Sequence, residues 1–442
     1  MSRAAARPAP AGSDLAARVR EAGLAAGLDA VGVTDAAAFP EVRRSLERRR
    51  SSGAHAGMSF TFRNPRRSTE PSRMLRDARS LVVGARGYLE PRPPRPAGPV
   101  AAVARYAWRD HYAALRAGLD AIAAALRDGG HRAAVFADDN ALVDRAAAHR
   151  AGIGWWGKNS NLLVPGAGSW FVLGSVVTDA ELPPAEAPVE DGCRSCTRCL
   201  DACPTGAIVA PGEIDARRCL AWLVQATGPF PRQHRVALGD RIYGCDDCQD
   251  ACPPSRRDLR AIDDLPVDDR ADRRAGVAGQ HVRADRRVRV TPHDEGADRR
   301  VHVTPHDERA DPSPSAGPPE AWVPLLELLD PAVPDEALLD RHGRWYIPRR
   351  EPRHLRRNAL VVLGNIGDGA DPAQRAALAH WCASDDDLLR AHAVWAAARL
   401  GLHDLVAARR DDPSALVRAE VALAPGVEPA PGAVRAIPVR VG

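Results

Sequence analysis

The stretch Cys193-Arg-Ser-Cys196-Thr-Arg-Cys199-Leu-Asp-Ala-Cys203-Pro204 decides how the middle of this chain folds. Its spacing, C-x2-C-x2-C-x3-C-P, lets one tight loop offer three thiolates to the corners of an iron–sulfur cubane and throws the fourth sulfur to a second cluster. A matching group follows at Cys245-Asp-Asp-Cys248-Gln-Asp-Ala-Cys252-Pro253, with Cys219 upstream as the remaining thiolate. Exchanging the distal ligands completes two quartets. Cys193, Cys196, Cys199 and Cys252 would hold one [4Fe–4S] cluster, and Cys203, Cys219, Cys245 and Cys248 the other. Four-cysteine zinc sites also use C-x2-C pairs, but not usually two x3-C-P steps with exchanged ligands. Disulfides suit an oxidising compartment, and Met1 to Gly12 is Ala/Pro/Arg-rich with no apolar stretch of a secretory signal. The ninth cysteine, Cys382, stands alone in a helical stretch and reads as a buried apolar residue.

Outward from the cysteines, the composition is that of a globular protein of two or three domains. There are 442 residues, 45% of them hydrophobic and 27% charged. Sixty-one Lys and Arg against 57 Asp and Glu leave a net charge of only +4, so any nucleic-acid contact must come from a local basic patch rather than a polycationic whole. No run is long and apolar enough for a membrane span, and a cytoplasmic protein with no membrane partner is expected. Lys158 is the only lysine; every other basic residue in the Lys and Arg total is Arg. A survivor in so Arg-rich a background hints that Arg does not serve at that position.

Before the cysteines, short apolar runs at Ala30 to Thr34, Ser80 to Ala85, Ala133 to Ala137 and Trp170 to Val177 alternate with helical periodicity at Asp14 to Glu21, Tyr112 to Leu126 and Leu142 to His149. That order indicates an α/β layer. Residues 263–318 are rich in Arg, Asp, Pro and Gly and contain a tandem of thirteen, Ala284 to Gly296 and Ala297 to Arg309. Two copies are too few for a solenoid, and the mixture has little to bury, so a disordered insert is expected. His293 and His306 recur in the tandem, but a metal site there is not favoured. From Ala321 onward, Arg357, Arg390 and Arg418 each open a small apolar helix face, at spacings suited to HEAT-like helix pairs. At the start of this module Arg341, Arg344, Arg349, Arg350, Arg353, Arg356 and Arg357 surround Trp345 and Tyr346, with Glu351 the single acid from Arg341 to Leu360. Arg for phosphates and aromatics for bases is a recipe for RNA; a solvated charged face is the plain alternative.

Clusters move single electrons, so the α/β domain is expected to hold a further cofactor. Its one G-x-G-x-x-G spacing, Gly152-Ile-Gly154-Trp-Trp-Gly157, follows a helical stretch and not a strand, so it is no dinucleotide fingerprint, and the domain has no Walker motif. It does carry Arg105-Tyr-Ala-Trp-Arg-Asp-His-Tyr112, Asp138-Asp139 at the end of an apolar run, and the Gly-rich Ala151-Gly-Ile-Gly-Trp-Trp-Gly-Lys-Asn159.

With Gly168-Ser169, Tyr243-Gly-Cys-Asp-Asp-Cys-Gln249 and Arg357-Asn-Ala-Leu360, these segments make residues 14–262 and 319–425 resemble the cobalamin-dependent tRNA epoxyqueuosine reductases. The resemblance implies an α/β cobalamin-binding domain (14–182), a ferredoxin-like two-cluster domain (183–262) and an all-α HEAT-like tRNA-binding module (319–425), with residues 1–13 disordered and 426–442 a tail. It implies electrons passing through both clusters to cobalamin and reduction of epoxyqueuosine to queuosine at the tRNA wobble position. Asp138 is placed as proton donor, with Asp139 as the alternative. The corrinoid contacts would be Arg105, Tyr106, Asp110, His111, Asp138, Lys158, Asn159, Leu162, Ser169 and Leu173. Arg349, Arg350, Arg353, Arg356 and Arg357 would hold tRNA. A low-potential electron donor and a monomeric chain complete the expectation. Departures from the family pattern stand at Val224-Gln-Ala226 (usually Thr-Ile-Glu-like), at Pro254-Ser255 (usually Trp-Asn), and in the shorter Tyr106 segment with its inverted His111-Tyr112. A corrinoid reductase of a small molecule and a non-catalytic electron-transfer protein are the competing readings.

Overall fold

Ser80-Leu-Val-Val-Gly-Ala-Arg-Gly87 is apolar on both of its faces, and the strand it forms is the centre of the largest sheet. The computed structural model describes residues 13–256, 289–291, 302–304 and 318–424. In that sheet the strand order is His302–Thr304, Arg289–Thr291, Ala30–Asp35, Ser80–Gly87, Phe171–Thr178 and Ala133–Ala137. Leu81, Val83 and Ala85 face Leu142, Ala147 and Ile153. On the opposite face Val31, Val33 and Val82 meet Val19, Leu115, Leu119 and Ile122 of the helices Ser13–Ala25 and His111–Asp128. Helices cover both faces, as an α/β layer requires. The strands Ala30–Asp35, Ser80–Gly87, Phe171–Thr178 and Ala133–Ala137 nevertheless run antiparallel, each hydrogen-bonded to its neighbour in the opposite direction. Alternation of strands and helices along the sequence does not encode strand direction.

Small residues bring helix and sheet together. A Cβ on Gly118 would lie 2.4 Å from Leu28, and one on Gly174 2.6 Å from Leu119. Asp110 starts the long helix by accepting the Ala113 N–H at 2.8 Å.

A second sheet stitches the chain's three parts. Val100–Val103 pairs parallel with Arg241–Tyr243 and antiparallel with Trp322–Pro324. One core therefore contains Val103 and Trp108, the post-cysteine residues Leu223, Phe230 and Tyr243, and the C-terminal helices. In the C-terminal region Arg353–Ile366, Asp387–Arg399 and Ala415–Ala422 lie side by side, with Pro372–Cys382 packed against the middle one. Cys382 is buried in this core, as expected.

The insert is corrected in part. Arg289–Thr291 and His302–Thr304, the same positions of the two tandem copies, pair antiparallel, and Val290 stands opposite Ala30 at the sheet edge. His293 and His306 lie outside the described residues.

Candidate functional site

Each thiol sits at or beside a short helical turn: Cys199 in Arg198–Asp201, Cys219 at the start of Leu220–Leu223, Cys248 in Asp247–Asp250. The Cys199 thiol is pushed up to about 11 by burial first and then by Cys252 and Cys193, with Cys196 adding to it. Burial also raises Cys219, with Cys203 contributing, and Cys248, with Cys245 and Cys219 contributing. Cys199 thus neighbours Cys252, Cys193 and Cys196, while Cys219 neighbours Cys203, and Cys248 neighbours Cys245 and Cys219. Cys199 also acts on Cys248, so the quartets adjoin. Among the described residues no three metal-ligating side chains converge on a single ion. The Trp155 indole N–H donates to Cys193 Sγ at 3.4 Å, and the Ala207 N–H to Cys203 Sγ at 3.2 Å.

Several residues expected at the corrinoid brace the cysteine loops. Lys158 Nζ donates to the Arg194 carbonyl at 2.6 Å, and Asn159 Nδ2 to the Cys248 carbonyl at 3.3 Å. Arg194 has a left-handed φ of 44°, a turn this ammonium helps to hold. Arg105 is buried, with its guanidinium on Asp250 at 2.9 Å and its N–H on Asp246 at 2.9 Å. Ser169 is buried between Gln249 (3.0 Å) and Ser255 (3.2 Å), and Tyr88 shares Gln249. Ser255 is fully buried, and a Cβ on Gly168 would meet its Cα at 2.5 Å. The departure at Pro254-Ser255 thus falls on an internal joint. Buried polar groups at such a joint need protein partners, and Arg105 and Ser169 find theirs in Asp246, Asp250, Gln249 and Ser255. Leu162 is core, Asp110 a helix cap, and His111 is buried beside Tyr88 with ring centroids 5.7 Å apart.

Asp138 ends the Ala133–Ala137 strand at a left-handed φ of 52°. Its carboxyl accepts no hydrogen bond among the described residues, whereas Asp139 Oδ1 is taken by the Ala141 N–H at 2.7 Å. The alternative proton donor is therefore committed to a turn. Partial burial, Asp110 and Asp139 raise the Asp138 pKa, against Arg116. Two neighbours were missed in the sequence. Asp144 is raised further by burial and by Asp138 and Asp139, and Tyr112 is raised by burial and by both Asp138 and Asp144. Beside this acidic cleft, Phe136, Phe171 and Leu173 are partly exposed on the sheet face they share with Leu81 and Val83. Only their inward-facing alternation, visible once strand register is known, could have singled them out.

The C-terminal module reaches the same cleft. Tyr243 stacks on Trp345 at 4.6 Å and accepts the Tyr346 N–H at 2.8 Å, and Tyr106 hydrogen-bonds to it. Asp138 and Arg344 both act on the Tyr243 hydroxyl. Of the basic run, Arg341 pairs with Glu327, Arg344 with Glu320, Arg353 with Asp386, and Arg356 with Asp335. Arg357 is fully buried and Arg356 nearly so. These two are corrected: no RNA reaches them. Trp345 is likewise core rather than a base-stacking ring. Arg349 and Arg350 are exposed, on consecutive left-handed residues with φ of 53° and 55°. Tyr346 is exposed 5.5 Å from Phe60, beside a recess formed by Arg63, Asn64, Arg67 and Asn140.

The fold and the paired quartets define a double-cluster iron–sulfur protein, and residues 192–255 match the model of a 4Fe-4S double cluster binding domain. An epoxyqueuosine reductase of Bacillus anthracis is 36% identical over 237 residues, covering 52% of this chain and 62% of that protein. One from Xanthomonas campestris pv. campestris is 36% identical over 285 residues, covering 60% of this chain and 79% of that protein. The chain belongs to the epoxyqueuosine reductase family. It spans about three-fifths of the length of the first curated relatives it matches, 62% for the Bacillus protein. A crystal structure of an epoxyqueuosine reductase with an epoxyqueuosine-modified tRNA-Tyr stem loop superposes with a TM-score of 0.72 at 27% identity, over 92% of this chain and 97% of that one.

Proposed function

We propose that this protein reduces epoxyqueuosine to queuosine at the tRNA wobble position, using two [4Fe–4S] clusters and cobalamin. The observation that carries the reading is the free, pKa-raised Asp138 carboxyl standing where the sheet, the cysteine loops and the basic C-terminal module meet. Two electrons from a low-potential donor and two protons remove the epoxide oxygen as water, leaving a carbon–carbon double bond. The partly exposed Phe136, Phe171 and Leu173 would hold an apolar face of the cofactor, and Tyr112 and Asp144 would border it. Cobalamin, when bound, supplies a reduced cobalt nucleophilic enough to attack the epoxide carbon. Asp138 holds a proton at its carboxyl because burial and like charges disfavour the anion, and it delivers that proton to the departing oxygen. Arg349 and Arg350, with Arg353 at the edge, hold backbone phosphates of the anticodon loop, and Phe60 with Tyr346 offers faces for an unstacked base.

The test is an anaerobic assay on the full chain reconstituted with iron, sulfide and cobalamin, with a chemical reductant and an epoxyqueuosine-modified stem loop. Queuosine formation is expected for the wild type, and its loss with cofactors retained for Asp138→Ala. Absence of product with both clusters and cobalamin in place overturns the reading.

A further inference from the structure

Burial removes Arg357 from any RNA surface, yet a fully buried guanidinium needs a reason. A cation out of water is costly unless every donor is used. Among the described residues no carboxylate meets it. Its Nη1 donates to the carbonyls of Ala226 and Gly228, both at 2.7 Å, and its Nη2 to Leu223 at 3.1 Å and to the Asn358 amide oxygen at 2.7 Å. Burial first, and Arg235 second, lower its pKa to about 9, so it stays a cation at neutral pH. Asn358 Nδ2 then donates to Val224 at 2.8 Å and to Ile242 at 3.4 Å. One turn and more along the same helix, Asn365 Nδ2 takes the carbonyls of Arg235 at 2.7 Å and Gly239 at 3.0 Å.

All of these backbone carbonyls belong to the cysteine-bearing region. Leu223 and Val224 end the short helix that Cys219 starts, with the Leu223 N–H on the Cys219 carbonyl at 2.9 Å. Ile242 lies in the strand that runs into Cys245 and Cys248. The helix end points its carbonyls, the negative pole of its dipole, at the guanidinium. The family departure Val224-Gln-Ala226 lies in this loop, and Ala226 serves through its carbonyl alone.

We infer that Arg357 and Asn358 are positioning residues for the second cluster: a polar clamp, contributed by the C-terminal module, that fixes the two backbone segments carrying Cys219, Cys245 and Cys248. The inference rests on the two-cluster reading, and wild-type iron content tests that reading separately. Arg is required because its planar fork serves several carbonyls at once, which a lysine ammonium cannot match.

The experiment compares full-chain wild type, Arg357→Met, Arg357→Lys and Asn358→Ala after anaerobic reconstitution. It reads iron and sulfide content, electron paramagnetic resonance of the reduced protein, and iron release to a chelator. Wild type should hold about eight irons. Arg357→Met should keep the Cys193 quartet's cluster and fall to about four irons, losing the spin coupling between neighbouring clusters. Arg357→Lys should recover part of that loss, and Asn358→Ala should release iron from the second quartet several-fold faster. A general stabilising role would instead lower thermal stability and loosen both clusters alike. Should Arg357→Met not fold, the other two variants decide. Two clusters with wild-type coupling and release rates, or equal loss from both quartets, overturns the inference.

Discussion

The two cysteine quartets are near mirror images in sequence and opposites in place. Cys193 and Cys196 lie on a loop whose other members, Gly192, Arg194, Ser195, Thr197 and Arg198, are all exposed. Around the second quartet, Leu220, Tyr243, Gly244, Asp246 and Gln249 are buried, and burial drives Cys219, Cys245 and Cys248 upward. The Cys193–Cys196 loop faces solvent, although Cys199 and Cys252 of the same quartet are buried. The other quartet is enclosed next to Tyr243 and the Asp138 cleft. The shared C-x2-C and x3-C-P steps set the chemistry of a cluster, and the surrounding layers set its task.

The largest effect should come from the enclosed side. Cys248→Ala is expected to remove that cluster and abolish queuosine formation while leaving the resonance signal of the Cys193 quartet's cluster; full turnover would end the idea of a single electron path. Asp138→Asn should retain both clusters and cofactor and lower the chemical step by ~10²–10⁴-fold, the usual weight of a general acid. The acid form is the active one, and the Asp138 pKa is raised, so wild-type single-turnover rates should fall as pH rises through that raised value. A flat profile would remove the carboxyl from the proton path. A chelator should strip iron from the Cys193 quartet first; the reverse order would break the contrast.

Smaller effects separate the two halves of the arginine run. Replacing Arg349, Arg350 and Arg353 together should weaken stem-loop binding and flatten its salt dependence, by about one unit of slope for each phosphate left without a cation. Arg356→Ala should leave that slope unchanged, since Arg356 is held by Asp335 and the Val333 carbonyl. The smallest effect is expected for deletion of 266–318, with activity nearly intact. Edge strands add little when the strand they cover, Ala30–Asp35, is already paired with Ser80–Gly87.

Much of the site was legible because metal ligation is a local rule. The eight thiols stand out from their spacing alone, and residues 192–255, which contain them, match a 4Fe-4S double cluster binding domain. Asp138 was legible as a strand-end carboxyl, but only its partner-free state, against the hydrogen-bonded Asp139, separated the two. The Arg run misled because charge on a helix says nothing about which way the chain lays it. Arg349 and Arg350 sit in a left-handed turn at the surface, and Arg357, a few residues on, faces the inside of the Arg353–Ile366 helix. Lys158, Arg105 and Ser169 stand out in the sequence as unusual, yet their partners come from loops tens of residues away.

By itself, then, the sequence determined the cluster ligands, the apolar strands and the helical tail, since each follows from contacts between residues close along the chain. Tertiary structure decided strand direction, the burial of Arg357, and the meeting of three modules at Tyr243. Those depend on long-range packing, where a polar side chain takes its role from whatever backbone is brought against it.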